Sequence, residues 1–259
     1  MKNIPIGLEL YSVREAFAEN PENTLKKVAN LGYACVEFCN DTLDLFEAER
    51  LNDALAAAGL YCCGYLTSWS DMQTDNYARM LRYNEKLHNP YIAIGSAPVA
   101  MLRSREGVKK VIAHMNAMHS IAGNEGFRFG YHNHETDFVM VDGVSAWDRI
   151  MDAMPEDFLM VLDTGNALAG GAQSVPILQR HPGRSPWVHV KPYSETLEGY
   201  DTMIGEDSFD WPKLLDACIR LGGARILTVE YGRRRKYEPF YGAKLCIEGL
   251  KANLALIEN

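Results

Sequence analysis

Residues 159–166 read LMVLDTGN: four apolar residues run straight into an aspartate, a threonine, a glycine and an asparagine. A short apolar run that stops at turn-forming residues is the pattern of a strand buried on both faces, as parallel sheets require. Similar short apolar or alternating runs recur at residues 4–10, 35–38, 60–65, 91–95, 127–131, 187–190 and 226–230, making eight with 159–162. Amphipathic segments separate them. Asn20 before Pro21 opens a helix with Leu25, Val28 and Ala29 on one face, and Gly32 closes it. Val108, Val111, Ile112, Met115, His119 and Ala122 repeat at helical spacing, with Gly123 as the expected stop. Trp211, Leu214, Leu215, Cys218 and Leu221 repeat after Asp210, and residues 241–257 supply a last helix. Eight strand-helix units without a linker predict an α/β fold, a single-domain (β/α)8 barrel over residues 1–259. The alternative is an open doubly wound sheet, but the early GLELYS turn lacks the glycine-rich dinucleotide fingerprint such sheets often carry.

Composition narrows the function. At 47% hydrophobic and 23% charged residues the chain has an ordinary globular makeup, and no apolar run approaches the ~20 residues of a membrane span. The start, MKNIPIGLELYS, runs directly into an alternating pattern with no cleavable leader, so a cytoplasmic protein is expected. A net charge of -8 opposes a nucleic-acid backbone, and the one dense basic cluster, Arg233 to Lys236, is too short for a nucleic-acid track. A small neutral or weakly charged ligand fits better. The six cysteines, Cys35, Cys39, Cys62, Cys63, Cys218 and Cys246, show no zinc-site or CxxC spacing and read as buried reduced thiols.

In such a barrel the working groups stand at the carboxyl ends of the strands. Strand one ends in Glu9, Tyr11 and Ser12, and strand two in Glu37. Strand five ends in YHNH (131–134), strand six in DTGN (163–166), strand seven in HVK (189–191) and strand eight in Glu230. His132, Asp163, His189 and Glu230 are imidazoles and carboxylates, the ligands of borderline divalent metals, and four neighbouring strands would point them into one mouth. One divalent ion, Zn, Mn, Co or Mg, is therefore expected. Each residue also has an ordinary role: Asp163 could cap the next helix, His189 could be a core histidine, and Glu230 could pair with a lysine or arginine. His134, two positions beyond His132, has the same strand phase and is the alternative ligand.

The ordered set YHNH, LDTGN, WVHVK and TVEYG resembles the sugar phosphate isomerase/epimerase superfamily, the xylose isomerase-like barrels. GLELYSVRE, LGYACVEF and GEDSFDWPKLLDAC extend the resemblance over nearly the whole chain. The superfamily includes ketose 3-epimerases, hydroxypyruvate isomerases, inosose and dehydroshikimate dehydratases, and metal-dependent repair endonucleases. The resemblance implies ligands from strands five to eight: Glu, Asp, His and Glu in the epimerases, which here fall on His132, Asp163, His189 and Glu230. Histidine at strand five departs from the epimerase pattern and brings the site closer to the inosose dehydratases.

The expected function is a metal-dependent isomerase or epimerase of a small keto sugar or polyol derivative, acting through an enediolate. On the resemblance, Glu230 is the general base, with a histidine of YHNH, His134 included, as the other candidate. Lys191 would neutralise an oxyanion or donate a proton to a departing hydroxyl, or else form an ion pair with Glu37 or Asp163. Tyr11, Glu37, Tyr65, Trp69 and Asn166 are candidates to hold sugar hydroxyls, with ordinary packing as the alternative for the aromatics. A metal-dependent dehydratase or lyase and a non-catalytic sugar-binding barrel are the competing readings. A homo-oligomer is compatible with all three. An endonuclease would need more metal ions and a basic face.

Overall fold

The computed structural model describes residues 4–39, 42–73, 76–196, 199–232 and 237–257; the basic cluster Arg233 to Lys236 lies outside the described residues. Among these, eight parallel strands close into a barrel: β1 (Ile6–Glu9), β2 (Cys35–Cys39), β3 (Tyr61–Thr67), β4 (Tyr91–Ile94), β5 (Arg128–His132), β6 (Leu159–Asp163), β7 (Trp187–Val190) and β8 (Ile226–Val229). Each strand pairs with its sequence neighbours, and β1 closes the ring on β8 with Ile6 beside Leu227. The outer ring is α1 (Pro21–Asn30), α2 (Ala48–Ala58), α3 (Tyr77–Lys86), α4 (Arg105–Asn124), α5 (Ala146–Ala153), α6 (Ser174–Arg180), α7 (Trp211–Arg220) and α8 (Pro239–Leu254). The expected (β/α)8 barrel is the observed fold.

The local signals work as their chemistry requires. Asn20 Oδ1 accepts from the Asn23 amide at 2.9 Å, and Asp210 Oδ1 accepts from that of Lys213 at 3.3 Å. One expected stop is misplaced: α4 runs through Gly123 to Asn124, and the chain turns at Gly126, where φ is +84°. Glycine in mid-helix only weakens a helix, whereas a positive φ needs glycine.

Alternation along the strands divides the core in two. Outward residues such as Leu8, Val36, Phe38, Ile92, Phe129, Leu162, Val188 and Leu227 pack under the helices, each buried aliphatic or aromatic side chain contributing roughly 1.5–3 kcal/mol. Inward residues form a smaller plug of Cys35, Cys63, Leu66, Ala93, Leu159, Val161, Trp187 and Ile226. The indole of Trp187 fills the space over Gly64, where a Cβ would stand 2.4 Å from Trp187 Cζ2. A bulge creates that space: Val36 pairs with Cys62 but Glu37 with Gly64, leaving Cys63 as an extra residue in β3. It also corrects the expectation for Tyr65. Past the bulge Tyr65 faces the helices, fully buried, with its hydroxyl accepting from the Leu43 amide at 3.1 Å rather than a sugar.

Candidate metal centre

The inward phase carries polar groups to the top of the barrel on every strand from β5 to β8. Above Gly130, Val161, Trp187 and Thr228 stand His132, Asp163, His189 and Glu230, all four buried. One donor atom from each lies within 4.8 Å of all the others. His132 Nε2 is 3.5 Å from Asp163 Oδ2 and 4.0 Å from Glu230 Oε2; His189 Nδ1 is 3.9 Å and 3.2 Å from the same two oxygens. A tetrahedral ion with bonds of about 2.1 Å separates its donors by about 3.4 Å, so the set is close to the right size.

Hydrogen bonding elsewhere in the barrel leaves the donor atoms aimed inward. His132 Nδ1 is 3.2 Å from the carbonyl of Gly95; a carbonyl only accepts, so Nδ1 carries the proton and Nε2 keeps its lone pair. His132 Nε2 and Asp163 Oδ2 are buried without a hydrogen-bond partner. Leaving two such atoms unsatisfied is costly, and a cation between them removes the cost. His189 Nε2 donates to Glu37 Oε2 at 2.8 Å, which turns Nδ1 into the cluster. Burial opposes charge on His189, but Glu37 and Glu230 together raise its pKa well above the usual value. Without a cation the ring therefore carries both protons; a cation would replace the one on Nδ1.

The motifs around the cluster lock it together. Asp163 takes the capping role, since Oδ1 accepts from the Asn166 amide at 2.6 Å at the start of the following short helix, while Oδ2 receives no hydrogen bond. The Asn133 amide grips the backbone of Asp163 from both sides, at 2.8 and 3.0 Å. Lys191 points inward two residues after His189 and donates to Glu230 Oε1 at 2.6 Å and Asn166 Oδ1 at 3.1 Å. Burial pulls the Lys191 pKa down, yet Glu230 and Asp163 outweigh it and raise the value, so the ammonium persists. Burial likewise pushes the Glu230 pKa up, and Lys191 and His189 overcome it to hold the carboxyl well below the usual range.

The other anticipated residues are placed differently. Glu37 is fully buried, and its Oε2 accepts from His189 and from Trp187 Nε1 at 2.8 Å; it orients the cluster from below. The ion pair of Lys191 is with Glu230, and with Asp163 Oδ2 at 3.7 Å, rather than with Glu37. Asn166 spends its side chain internally, on the Asn133 carbonyl at 3.0 Å, Lys191 and Tyr200. His134 stands beside the cluster, its ring 5.0 Å from that of His132, and burial, then His132 and Lys191, lower its pKa to about 3. Tyr11 lies half-buried at the rim under the Arg14 guanidinium, and Trp69 packs on His114 at 4.4 Å. Sequence reading missed Tyr200, whose hydroxyl reaches Asn166 Oδ1 at 2.9 Å and whose ring lies 5.0 Å from Lys191 Nζ. It also missed the Gly95 carbonyl, for which no residue type gives a signal.

A family model described as the xylose isomerase-like TIM barrel matches residues 25–252. Among solved structures, a sugar phosphate isomerase/epimerase from Parabacteroides distasonis superposes with a TM-score of 0.77 at 17% identity, covering 98% of this chain and 96% of that one. A D-allulose 3-epimerase from Methylomonas sp. gives 0.71 at 14% identity over 98% of this chain and 99% of its own. An AP endonuclease of family 2 from Brucella melitensis gives 0.70 at 15% identity over 92% and 96%. At these identities the likeness establishes the fold. No curated protein matches the sequence significantly. No described helix is long and apolar enough to cross a membrane.

Proposed function

The chain belongs to the xylose isomerase-like TIM barrel family, and from that premise we propose that it is a metal-dependent isomerase or epimerase of a small keto sugar or polyol derivative. One observation carries the reading: the donor atoms of His132, Asp163, His189 and Glu230 converge within 4.8 Å, two of them buried and unbonded. Two nitrogens and two oxygens suit Zn, Mn, Co or Mg. When bound, such an ion supplies a Lewis acid that polarises a substrate carbonyl and stabilises the enediolate left by loss of an α-proton.

The remaining chemistry belongs to the chain. Glu230 Oε1 is the oxygen turned away from the donor cluster, and it takes the α-proton with Lys191 Nζ beside it at 2.6 Å. Lys191 balances charge that develops on a substrate oxygen and returns a proton. His134, neutral at pH 7, handles a proton from the β5 side of the mouth, three strands from Glu230. Return of the proton from the opposite face epimerises the substrate; return to the neighbouring carbon isomerises it. Trp187 closes the floor beneath these groups.

The second reading, a dehydratase or lyase, is favoured by His132, an imidazole where the epimerase pattern has a carboxylate, and by the ammonium of Lys191, which can protonate a departing hydroxyl. Metal-loaded protein incubated with ketoses and inososes in heavy water separates the two. Solvent deuterium in an isomeric product is the expected result, and a dehydrated product assigns the lyase. If the protein holds metal and gives neither product, both readings fall and a sugar-binding barrel without turnover is left.

A further inference from the structure

Glu9 has a place in the mouth that neither the fold nor the donor cluster accounts for. On β1 the inward phase runs through Gly7, where a Cβ would stand 3.0 Å from Cys35 Sγ and 3.1 Å from Cys63 Sγ, and next reaches Glu9. Glu9 is the register partner of Glu37, so the two carboxylates stand side by side at the level of the cluster. Their surroundings differ. Glu37 accepts from Trp187 and His189 through Oε2, although its Oε1 is buried without a hydrogen bond. Among the described residues Glu9 has only the Cys39 thiol, a weak donor, as a partner, and its Oε2 is buried with no hydrogen bond. The residue keeps 4% of its surface, close to the 7% of Glu230, whereas Asp163 and His189 keep 0%. Register sets the level: Leu8 pairs with Val229, so Glu9 stands beside Glu230, the residue proposed to meet substrate.

Charge says what the unpaired oxygen would hold. Among the described residues the carboxylates Glu9, Glu37, Asp163 and Glu230 line the mouth; Lys191 is already engaged with Glu230 and Asp163, and the His189 ring with Glu37 and Glu230, which leaves neither cation for Glu9. An anionic group placed beside Glu9 meets repulsion, and an uncharged hydroxyl meets a free acceptor.

We propose that Glu9 is a substrate-binding residue that takes a hydroxyl group of an uncharged polyhydroxy ligand, through the Oε2 atom the fold leaves unpaired. The inference rests on the sugar-converting reading and makes the ligand in this part of the mouth a neutral polyol. It is tested on the full chain loaded with metal, comparing wild type, Glu9→Leu and Glu9→Gln. Metal content, thermal stability and the calorimetric Kd for unphosphorylated ketohexoses, inososes and myo-inositol are measured. Expected are equal metal content in all three proteins and a raised Tm in Glu9→Leu, because an unsatisfied buried carboxyl has been removed. The Kd should rise at least about tenfold in Glu9→Leu, with most of the affinity kept in Glu9→Gln. Equal affinity in wild type and Glu9→Leu overturns the assignment while leaving the enzyme reading intact. A fall in Tm or loss of metal in Glu9→Leu makes Glu9 structural and also overturns it. If wild type, carrying metal, binds none of the probes, the assignment and the sugar reading fail together.

Discussion

Strands β5 to β8 and strands β1 to β4 meet at one mouth, and they bring different things to it. The later half supplies the four donor residues and Lys191, one or two per strand. The earlier half supplies what aims them: Glu37 on β2 holds His189 Nε2, and the Gly95 carbonyl just after β4 holds His132 Nδ1. Neither half is a site alone. A donor cluster of this kind is assembled by closing the barrel, because the partner that fixes each imidazole comes from the other half of the chain.

The division is tested first on the donor side. Asp163→Ala should lower metal affinity by more than the about 10–100-fold that loss of an orienting group costs, with the circular dichroism of the folded barrel preserved. An unfolded Asp163→Ala, together with full metal content in Asp163→Asn, would mean that the cap to Asn166 is the whole role of Asp163. On the orienting side, Glu37→Gln keeps the shape but gives up the charge that holds the His189 Nε2 proton. Metal affinity should drop about tenfold, and competition against a chelator reads the change. A drop as large as that of Asp163→Ala would erase the distinction between the halves.

The smallest effect concerns a support that the later half provides for itself. Asp137 accepts from the Tyr131 hydroxyl and from the His134 amide, and burial, winning over these bonds, raises its pKa to about 7. A carboxyl raised in this way keeps its proton in the folded state where the unfolded chain has lost it. Its stabilisation is therefore complete below about pH 4 and fades as the pH rises towards 7. Asparagine does not titrate, so the Tm of Asp137→Asn minus that of wild type should climb by a few degrees from pH 4 to pH 7. A flat difference would show that Asp137 ionises as an exposed aspartate does.

Residue type and phase make the donor side legible in the sequence. Apolar runs gave the eight strands to within two residues at each end, and the two-residue step from His189 to Lys191 put both side chains inward. The orienting side was harder to see for definite reasons. A backbone carbonyl such as that of Gly95 has no residue-type signature. Glu37 reads as a mouth residue until barrel closure brings β7 beneath it, and Tyr200 reaches Lys191 on a loop with no periodicity to follow. The family matched by residues 25–252 carries the fold without deciding these contacts.

The extra residue in β3 has a consequence for how this sequence can change. Cys63 acts as a phase shifter: in unbroken alternation from Tyr61, Cys63 would stand opposite Glu37 in the place of Gly64, and Tyr65 would turn inward. Deleting that single residue would remove the bulge and leave Gly64 opposite Glu37 with Tyr65 still facing the helices, whereas a side chain in the place of Gly64 would meet the Trp187 indole that steadies Glu37. A Cβ at Gly64, in a strand that contributes no donor residue, would thus disturb the centre more than loss of the neighbouring Cys63.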